Sequence, residues 1–381
     1  MIPYGRQTID EDDINAVVEV LRSDWLTTGP KIAEFEQAFA KYVDAEHAVA
    51  VSSGTAALHA AMYALEIEPG DEVIVPAMTF ASTANCIVFQ GGTPIFCDVD
   101  PNTLLIDVSL AKSKITSSTK AIIAADYTGQ PCEYDELQAV ADEHGLAVVA
   151  DACHSLGGKY KERPVGSLAD LSVFSFHPVK HITTGEGGMI TTNDNKLAGR
   201  MRTFRNHGIT ADHHQREAVG SWFYEMIDLG YNYRITDFQC ALGQSQLQKL
   251  SDWVSRRREI ARLYEESFSD VPVIQLLSTS GHFTHSYHLY VIQFRLEHLR
   301  CDRDFIFRDL RQRGIGVNVH YIPVHLHPFY RNRFGTGLGM CPEAELAYRR
   351  VLSLPIFPKM SNTEVRFVIE ALLQVIGSFC L

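Results

Sequence analysis

Short uninterrupted apolar runs alternate with longer stretches of mixed polarity through the first part of the chain. Ala48–Val51 breaks at Ser52-Ser53-Gly54, and a helical stretch follows from about Thr55 to Leu65. Glu72–Val75, Ile95–Asp98, Ala121–Ala125 and Ala147–Ala150 read as further strands, with helices after Thr79 and over Tyr134–Glu143. Another run ends at Ser175, and one more passes through Met189-Ile190. Runs without polar alternation are the mark of strands buried on both faces. Alternation with helices implies crossover connections and a mostly parallel sheet.

The character changes after about residue 235. Asp237–Ser267 reads as one long helix, His288–Phe294 as a strand, Asp302–Arg313 as a helix and Val317–Tyr321 as a short strand. Glu343–Leu352 and Thr363–Gly377 look helical. This α+β pattern places a domain boundary near 245. A large α/β domain over 1–245 is expected to precede a smaller α+β domain over 246–381.

Composition narrows the function. The chain has 381 residues, 46% hydrophobic and 21% charged, which excludes a disordered chain. A net charge of −12 argues against nucleic acid, which needs basic surface to release counterions. It leaves room for an anionic small molecule, because a few local donors can hold a phosphate inside an acidic protein. The eight cysteines include no C-x-x-C pair, so they suggest neither a zinc site nor a disulfide framework, and a reducing compartment is expected. The opening MIPYGRQTIDEDD turns acidic at once and reads as no signal peptide, so a cytoplasmic location is expected. Val73–Cys97 carries no charge, but Pro76, Gly91, Gly92 and Pro94 interrupt it, and no membrane span is expected.

In parallel α/β sheets ligands sit beyond the carboxyl ends of strands. Three such places carry candidate chemistry. Ser52-Ser53-Gly54-Thr55 lies between a strand and a helix start, where free N–H groups favour an anion. Asp151 follows directly on the Ala147–Ala150 strand, with His154 three residues on. A carboxylate there is costly without a partner, and a cationic ring nitrogen would serve. Ser175 ends a strand, Lys180 follows, and Gly185-Glu186-Gly187-Gly188 leads into the next run. A desolvated lysine becomes a nucleophile toward carbonyls. Each has a plainer reading: an ordinary N-cap, an Asp capping a turn, a surface lysine before a glycine turn. Together they offer a phosphate cradle, a partner for a pyridine nitrogen and an amine for an aldehyde, the set that pyridoxal phosphate (PLP) needs.

The residues SSGTAAL (52–58), PAMTFASTAN (76–85), DACHSLG (151–157), SFHPVKHITTGEGG (175–188), RNHG (205–208), LGYNYRITDFQCALG (229–243) and HYIPVH (320–325) carry a resemblance to a known family. Over essentially its whole length the chain resembles the DegT/StrS sugar aminotransferases, PLP enzymes of fold type I. The resemblance implies a seven-stranded, mostly parallel sheet flanked by helices. It makes Lys180 the Schiff-base lysine and Asp151 the partner of the pyridinium nitrogen. It places His154 beside the ring hydroxyl, Gly54, Thr55 and Ser175 at the phosphate, and Phe80 over the ring. It sends Asn232 to the phosphate held by a partner subunit, which implies a homodimer with shared sites. Tyr4, Arg234, His320, Tyr321 and His325 are expected at the substrate. The implied reaction moves an amino group from an amino acid, with L-glutamate the expected donor, to C4 of a nucleotide-linked 4-keto-6-deoxy sugar. The opening residues, WLTTGP (25–30) and ADYTGQP (125–131) point more narrowly to a UDP-linked N-acetyl sugar of the pseudaminic acid branch.

Alternatives stay open at this stage. Phe80 could be plain core and Asn232 a turn residue. Arg234 could pair with Asp237 or hold a nucleotide diphosphate. His320, His325 and His327 could suggest a metal, but no carboxylate or Cys cluster accompanies them in sequence, and none is expected. His213-His214 reads as a solvated loop. A related UDP- or dTDP-4-keto sugar could be the acceptor. A sugar dehydrase or lyase on the same fold is a second possibility, against which stands Lys180, since some dehydrases of the family carry His there. A non-catalytic PLP-binding sensor is a third. A dinucleotide oxidoreductase lacks its G-x-G-x-x-G.

Overall fold

The alternating pattern builds a seven-stranded sheet in the computed structural model, which describes residues 1–211, 216, 220–279 and 281–379. Its strands are β1 (His47–Val51), β2 (Glu72–Pro76), β3 (Thr93–Cys97), β4 (Thr119–Ala125), β5 (Ala147–Asp151), β8 (Leu171–Ser175) and β9 (Gly188–Thr192). The strands β6 (Lys159–Tyr160) and β7 (Arg163–Pro164) lie apart, in a small sheet with β11 (Phe283–Thr284). The large sheet runs in the order β1-β9-β8-β5-β4-β2-β3. Only β9 is reversed, antiparallel to both β1 and β8, and the remaining neighbours pair in parallel. Side chains of Ile122, Ile123, Val148 and Val149 have no exposed surface. That burial on both faces is why these strands read as unbroken apolar runs.

Helices α1 (Glu11–Leu21), α2 (Pro30–Tyr42), α3 (Gly54–Ala64), α4 (Ala81–Phe89), α5 (Val108–Ser113), α6 (Tyr134–His144) and α7 (Asn195–Phe204) belong to this layered part. The reversal of β9 has a local result. Gly188, its first residue, stands opposite both Val51 and Ser175, so three strands meet at one point of the sheet edge. A Cβ on Gly188 would lie 2.4 Å from the Ser53 carbonyl oxygen, so no larger residue fits.

The long helix appears as expected, α8 (Asp237–Phe268). Cys240, Leu247, Leu250 and Val254 on its first half join the large core with the sheet. Ile260, Ala261, Tyr264 and Phe268 on its second half join a separate core. That second core holds β10 (Ile274–Leu276), β12 (Tyr290–Phe294) and β13 (Val351–Leu354), paired antiparallel in that order, with α9 (Arg303–Gln312) and α12 (Asn362–Gly377). Between α9 and α12 the chain returns to the large core through α10 (Pro328–Phe334) and α11 (Pro342–Arg350). The N-terminus lies along the smaller core: Ile2 bridges to Ile315, and the Ile356 N–H donates to the Tyr4 carbonyl at 3.1 Å.

Two elements differ from the sequence expectation. Val317–Tyr321 forms no strand and is joined to the small sheet by a single bridge, Asn318 to Ser353. The strand is β13, in residues whose apolar run extends the periodicity of the preceding helix. The helix stops at Arg350 because Val351–Leu354 are all buried and pair with β12. His213, His214 and Cys380 lie outside the described residues. No helix among the described residues is long and apolar enough to cross a membrane.

Candidate active site

The parallel strands deliver their last residues to one edge of the sheet. There a cavity of about 400 Å³ opens between the strand ends, the 318–321 segment and the N-terminal Tyr4. It collects Gly54, Thr55, Phe80, Asp151, His154, Ser175, Lys180, Tyr4, His320 and Tyr321 from the sequence-derived set.

One wall is the start of α3. Ser53 caps it, accepting from the Ala56 N–H at 3.0 Å. The N–H groups of Gly54 and Thr55 lie in the first turn, where no intrahelical acceptor exists. A Cβ on Gly54 would stand 2.9 Å from Cβ of Ser175, so glycine is what lets the helix start approach the end of β8. Backbone donors, the Thr55 and Ser175 hydroxyls and the helix dipole thus converge, which suits a phosphate.

Asp151 forms the floor. Its Oδ2 accepts a hydrogen bond from the Thr83 hydroxyl at 2.6 Å, and its Oδ1 faces the Cys153 N–H at 3.3 Å. Thr83 is fully buried on α4 and lies 2.8 Å from the Thr79 hydroxyl. No cation pairs with Asp151 among the described residues, so its charge is left for a ligand.

Lys180 enters from the loop after β8. Burial holds its amine below the ordinary lysine range, against the opposing pull of Cys153 and Asp151. Imidazoles surround it. The His154 ring lies 4.4 Å from that of His288, tilted by 43°, and meets the Tyr321 hydroxyl through Nε2 at 3.0 Å. His288 lies 5.6 Å from His181. Burial first, and the Lys180 charge after it, push His154 and His288 well below the ordinary range, and His320 down to about 3. At neutral pH these rings are uncharged, and the Tyr321 phenol, raised by burial, keeps its proton.

Each remaining candidate has a definite place. Phe80 caps α4 with its ring half exposed on the cavity rim, 5.9 Å from that of Tyr321. Tyr4 sits 5.5 Å from His320. His320 lines the cavity, but its ring nitrogens face Ser353 Oγ at 2.7 Å and Asn318 at 3.3 Å, so it offers its ring more than a hydrogen bond. His325 is corrected: it is fully buried outside the cavity, with Nε2 3.0 Å from Glu345. The turn Val324–Leu326 carries it away from the wall. Arg234 also lies outside this cavity. It donates to Asn206 Oδ1 at 2.8 Å and does not pair with Asp237, whose carboxylate instead caps α2 through the N–H groups of Gly29 and Lys31 at 2.8 and 3.0 Å. Asn232 is exposed, bridged to Asn206, and reaches nothing in its own chain's cavity.

Sequence reasoning missed Thr79, Thr83, Asp126, Tyr127 and His288. Thr79 and Thr83 stand inside PAMTFASTAN, where only the aromatic residue drew notice. Asp126 directly follows β4, donates its N–H to the Asp151 carbonyl at 3.1 Å and is fully buried. Burial raises it to about 7, although Ser155, Tyr134 and the Cys132 N–H donate to it at 2.5, 2.7 and 2.9 Å. His288 was hidden at the head of an apolar strand. No group of His, Cys, Asp or Glu able to hold a metal ion occurs among the described residues.

A phosphate cradle, an unpaired carboxylate and a desolvated lysine in one cavity define a PLP site, and known proteins agree. The chain belongs to the DegT/DnrJ/EryC1/StrS aminotransferase family, whose model matches residues 7–373. It is a PLP-dependent sugar aminotransferase. It is 42% identical over 377 residues to the spore coat polysaccharide biosynthesis protein SpsC of Bacillus subtilis, covering 98% of this chain and 97% of that one. Protein MJ1066 of Methanocaldococcus jannaschii is also 42% identical, over 99% and 98% of the two chains. Among solved structures, Helicobacter pylori PseC, an aminotransferase of pseudaminic acid biosynthesis, superposes with a TM-score of 0.93 at 33% identity, over 99% of this chain and all of that one. Streptococcus pneumoniae Spr1654, solved in PMP and PLP forms, gives 0.93 and 0.92 at 34% identity, over 99% of this chain and 100% and 99% of the other.

Proposed function

We propose that this cavity transfers an amino group from L-glutamate to C4 of a UDP-linked 4-keto-6-deoxy-N-acetyl sugar, a step toward pseudaminic acid. The observation that carries the transfer site is the meeting of Lys180, Asp151 and the start of α3 around one cavity. Bound there, PLP would supply an aldehyde to take up the amino group and a ring that spreads negative charge. Lys180 Nζ is the nucleophile and then the base, taking the proton from Cα of the amino donor. Its depressed basicity leaves a larger share of free amine at working pH. Asp151 holds a proton at the ring nitrogen through opposite charge. Gly54, Thr55 and Ser175 bind the phosphate, Phe80 covers the ring, and His154 orients the ring hydroxyl while Tyr321 braces His154. Tyr4, Tyr321 and the His320 ring shape the sugar side.

The acceptor assignment draws on the likeness to PseC and on WLTTGP and ADYTGQP. The enzyme is inferred to act as a homodimer in the cytoplasm. Trp222, Met226, Ile227 and Leu229 are 66–85% exposed in one chain, which supports a surface covered by a second copy, and the family resemblance assigns Asn232 to that copy's phosphate. The decisive experiment mixes the amino form of the enzyme with a panel of UDP- and dTDP-linked 4-keto sugars and follows the cofactor spectrum. Reversion fastest with the UDP-linked N-acetyl sugar is expected; reversion by dTDP sugars alone would overturn the acceptor assignment.

A further inference from the structure

We propose that Thr83 is a positioning residue for the transfer reaction, and that its hydroxyl, backed by Thr79, keeps the shared proton on the cofactor's ring nitrogen instead of on Asp151. The inference rests on the reading that Asp151 faces that nitrogen. Asp151 is nearly buried, and its Oδ2 takes a hydrogen bond from Thr83 at 2.6 Å. Among the described residues the one other donor to the carboxylate is the Cys153 N–H, at a longer 3.3 Å. Thr83 has one hydroxyl proton, and it is committed to Asp151. The 2.8 Å contact to Thr79 is therefore one in which Thr79 donates and Thr83 accepts. Both hydroxyls are buried, so the chain Thr79 to Thr83 to Asp151 is oriented and each bond polarises the next.

The consequence concerns a proton between two bases. A hydrogen bond donated to a carboxylate stabilises its ionised form over its neutral one. With Thr83 in place the pair is carboxylate and pyridinium. Without it, the proton moves toward the carboxyl group and the ring nitrogen becomes neutral. A neutral ring withdraws charge less strongly, so the rate at which Lys180 takes a proton from the donor falls. Thr79 and Thr83 sit one helical turn apart, Thr79 just before α4 and Thr83 within it, which fixes the direction of both hydroxyls.

Three variants of the holoenzyme test this: Thr83→Val, which keeps the shape and loses the hydroxyl, Thr83→Ser, which keeps the hydroxyl and loses a methyl, and Asp151→Asn. The readouts are the half-reaction rate with L-glutamate, the thermal melting of the protein, and nitrogen NMR of ring-labelled cofactor. Thr83→Val is expected to lower the half-reaction about tenfold, the scale of one hydrogen bond to a charged group, and to move the ring-nitrogen signal toward the neutral position. Thr83→Ser is expected to stay within about twofold of the parent, with an unmoved signal, since the charge-assisted bond survives. A role in packing alone predicts the reverse order, with Val tolerated and Ser impaired, and that result would overturn the inference. If Thr83→Val fails to fold, Thr79→Val takes its place, expected to shift the signal in the same direction by less; an unmoved signal there also overturns it. If Asp151→Asn leaves signal and rate unchanged, the reading of Asp151 fails. If it changes both while Thr83→Val changes neither, the inference alone fails.

Discussion

The cavity around Lys180 and the surface around Asn232 solve opposite problems. In the cavity several buried polar groups meet partners within the chain: His154 meets Tyr321, Asp126 three donors, and Asp151 the Thr83 hydroxyl. Around Asn232, apolar side chains from Trp222 to Leu229 stand in solvent, and a second cleft displays Arg202, Arg205 and Arg234. Lys180, Asp151 and the start of α3 in the first region all come from one chain, and in that sense it is finished. The second is left open by one chain, and the proposed homodimer would close it, with the catalytic machinery held by one subunit and covered by another.

The sharpest break of that comparison is at its finished half. Lys180→Ala should abolish turnover, measured as loss of sugar amination together with loss of the visible band of the bound cofactor; a fully active variant would end the assignment. Asp151→Asn should still bind cofactor, yet lose on the order of a hundredfold or more in rate, in the range of a positioned acid–base group. The unfinished half is probed by mixing. Lys180→Ala and Asn232→Ala chains are each expected to be impaired alone. If sites are shared, a mixed dimer holds one site with both residues intact, and random exchange should restore about a quarter of parental activity. No recovery after verified exchange would put Asn232 outside the partner's site.

The neutral imidazoles set an acid limit on the cofactor-free protein. His320 and His285 are held at about 3 and His59 at about 4, against 6.5 in an unfolded chain, chiefly by burial. Below 6.5 the unfolded chain binds protons that the folded one refuses. The stability these groups confer is therefore complete above 6.5 and lost as pH falls toward 3, by up to about 1.4 kcal/mol per pH unit for each. Denaturant titrations across that range should show the slope, and His320→Gln should flatten it by one histidine's share. The smallest catalytic effect is expected at His325. His325→Gln should cost about 1–3 kcal/mol of stability through the Glu345 contact while leaving kcat/KM near the parental value. A large loss of kcat/KM in a stable variant would return His325 to the substrate.

What was legible in the sequence follows from which forces are local. Strands buried on both faces announce themselves by composition, and the residue after each one must lie at the sheet edge, so Gly54, Asp151 and Ser175 could be gathered before any coordinates. The strand β13 could not be, because Val351–Leu354 prolong an amphipathic helix and only pairing with β12 decides otherwise. His320 and His325 sit five residues apart in one short motif, yet one faces the cavity and the other Glu345; a single turn between them separates their fates. Thr83 was unreadable for a different reason. Its partner lies 68 residues away, and a hydroxyl in a Ser/Thr-rich stretch carries no sign of which carboxylate it will meet.

The helix α8 has a further meaning for how this protein can be taken apart. It is a single rod whose near end is clamped in one core and whose far end is clamped in the other, with Arg257 between them fastened to the carbonyls of Tyr287, His288 and Ile356. A scission between the two bodies would not free a module. It would snap that rod and leave an apolar stub on each fragment, because Cys240, Leu247, Leu250 and Val254 are buried in one core and Ile260, Ala261, Tyr264 and Phe268 in the other.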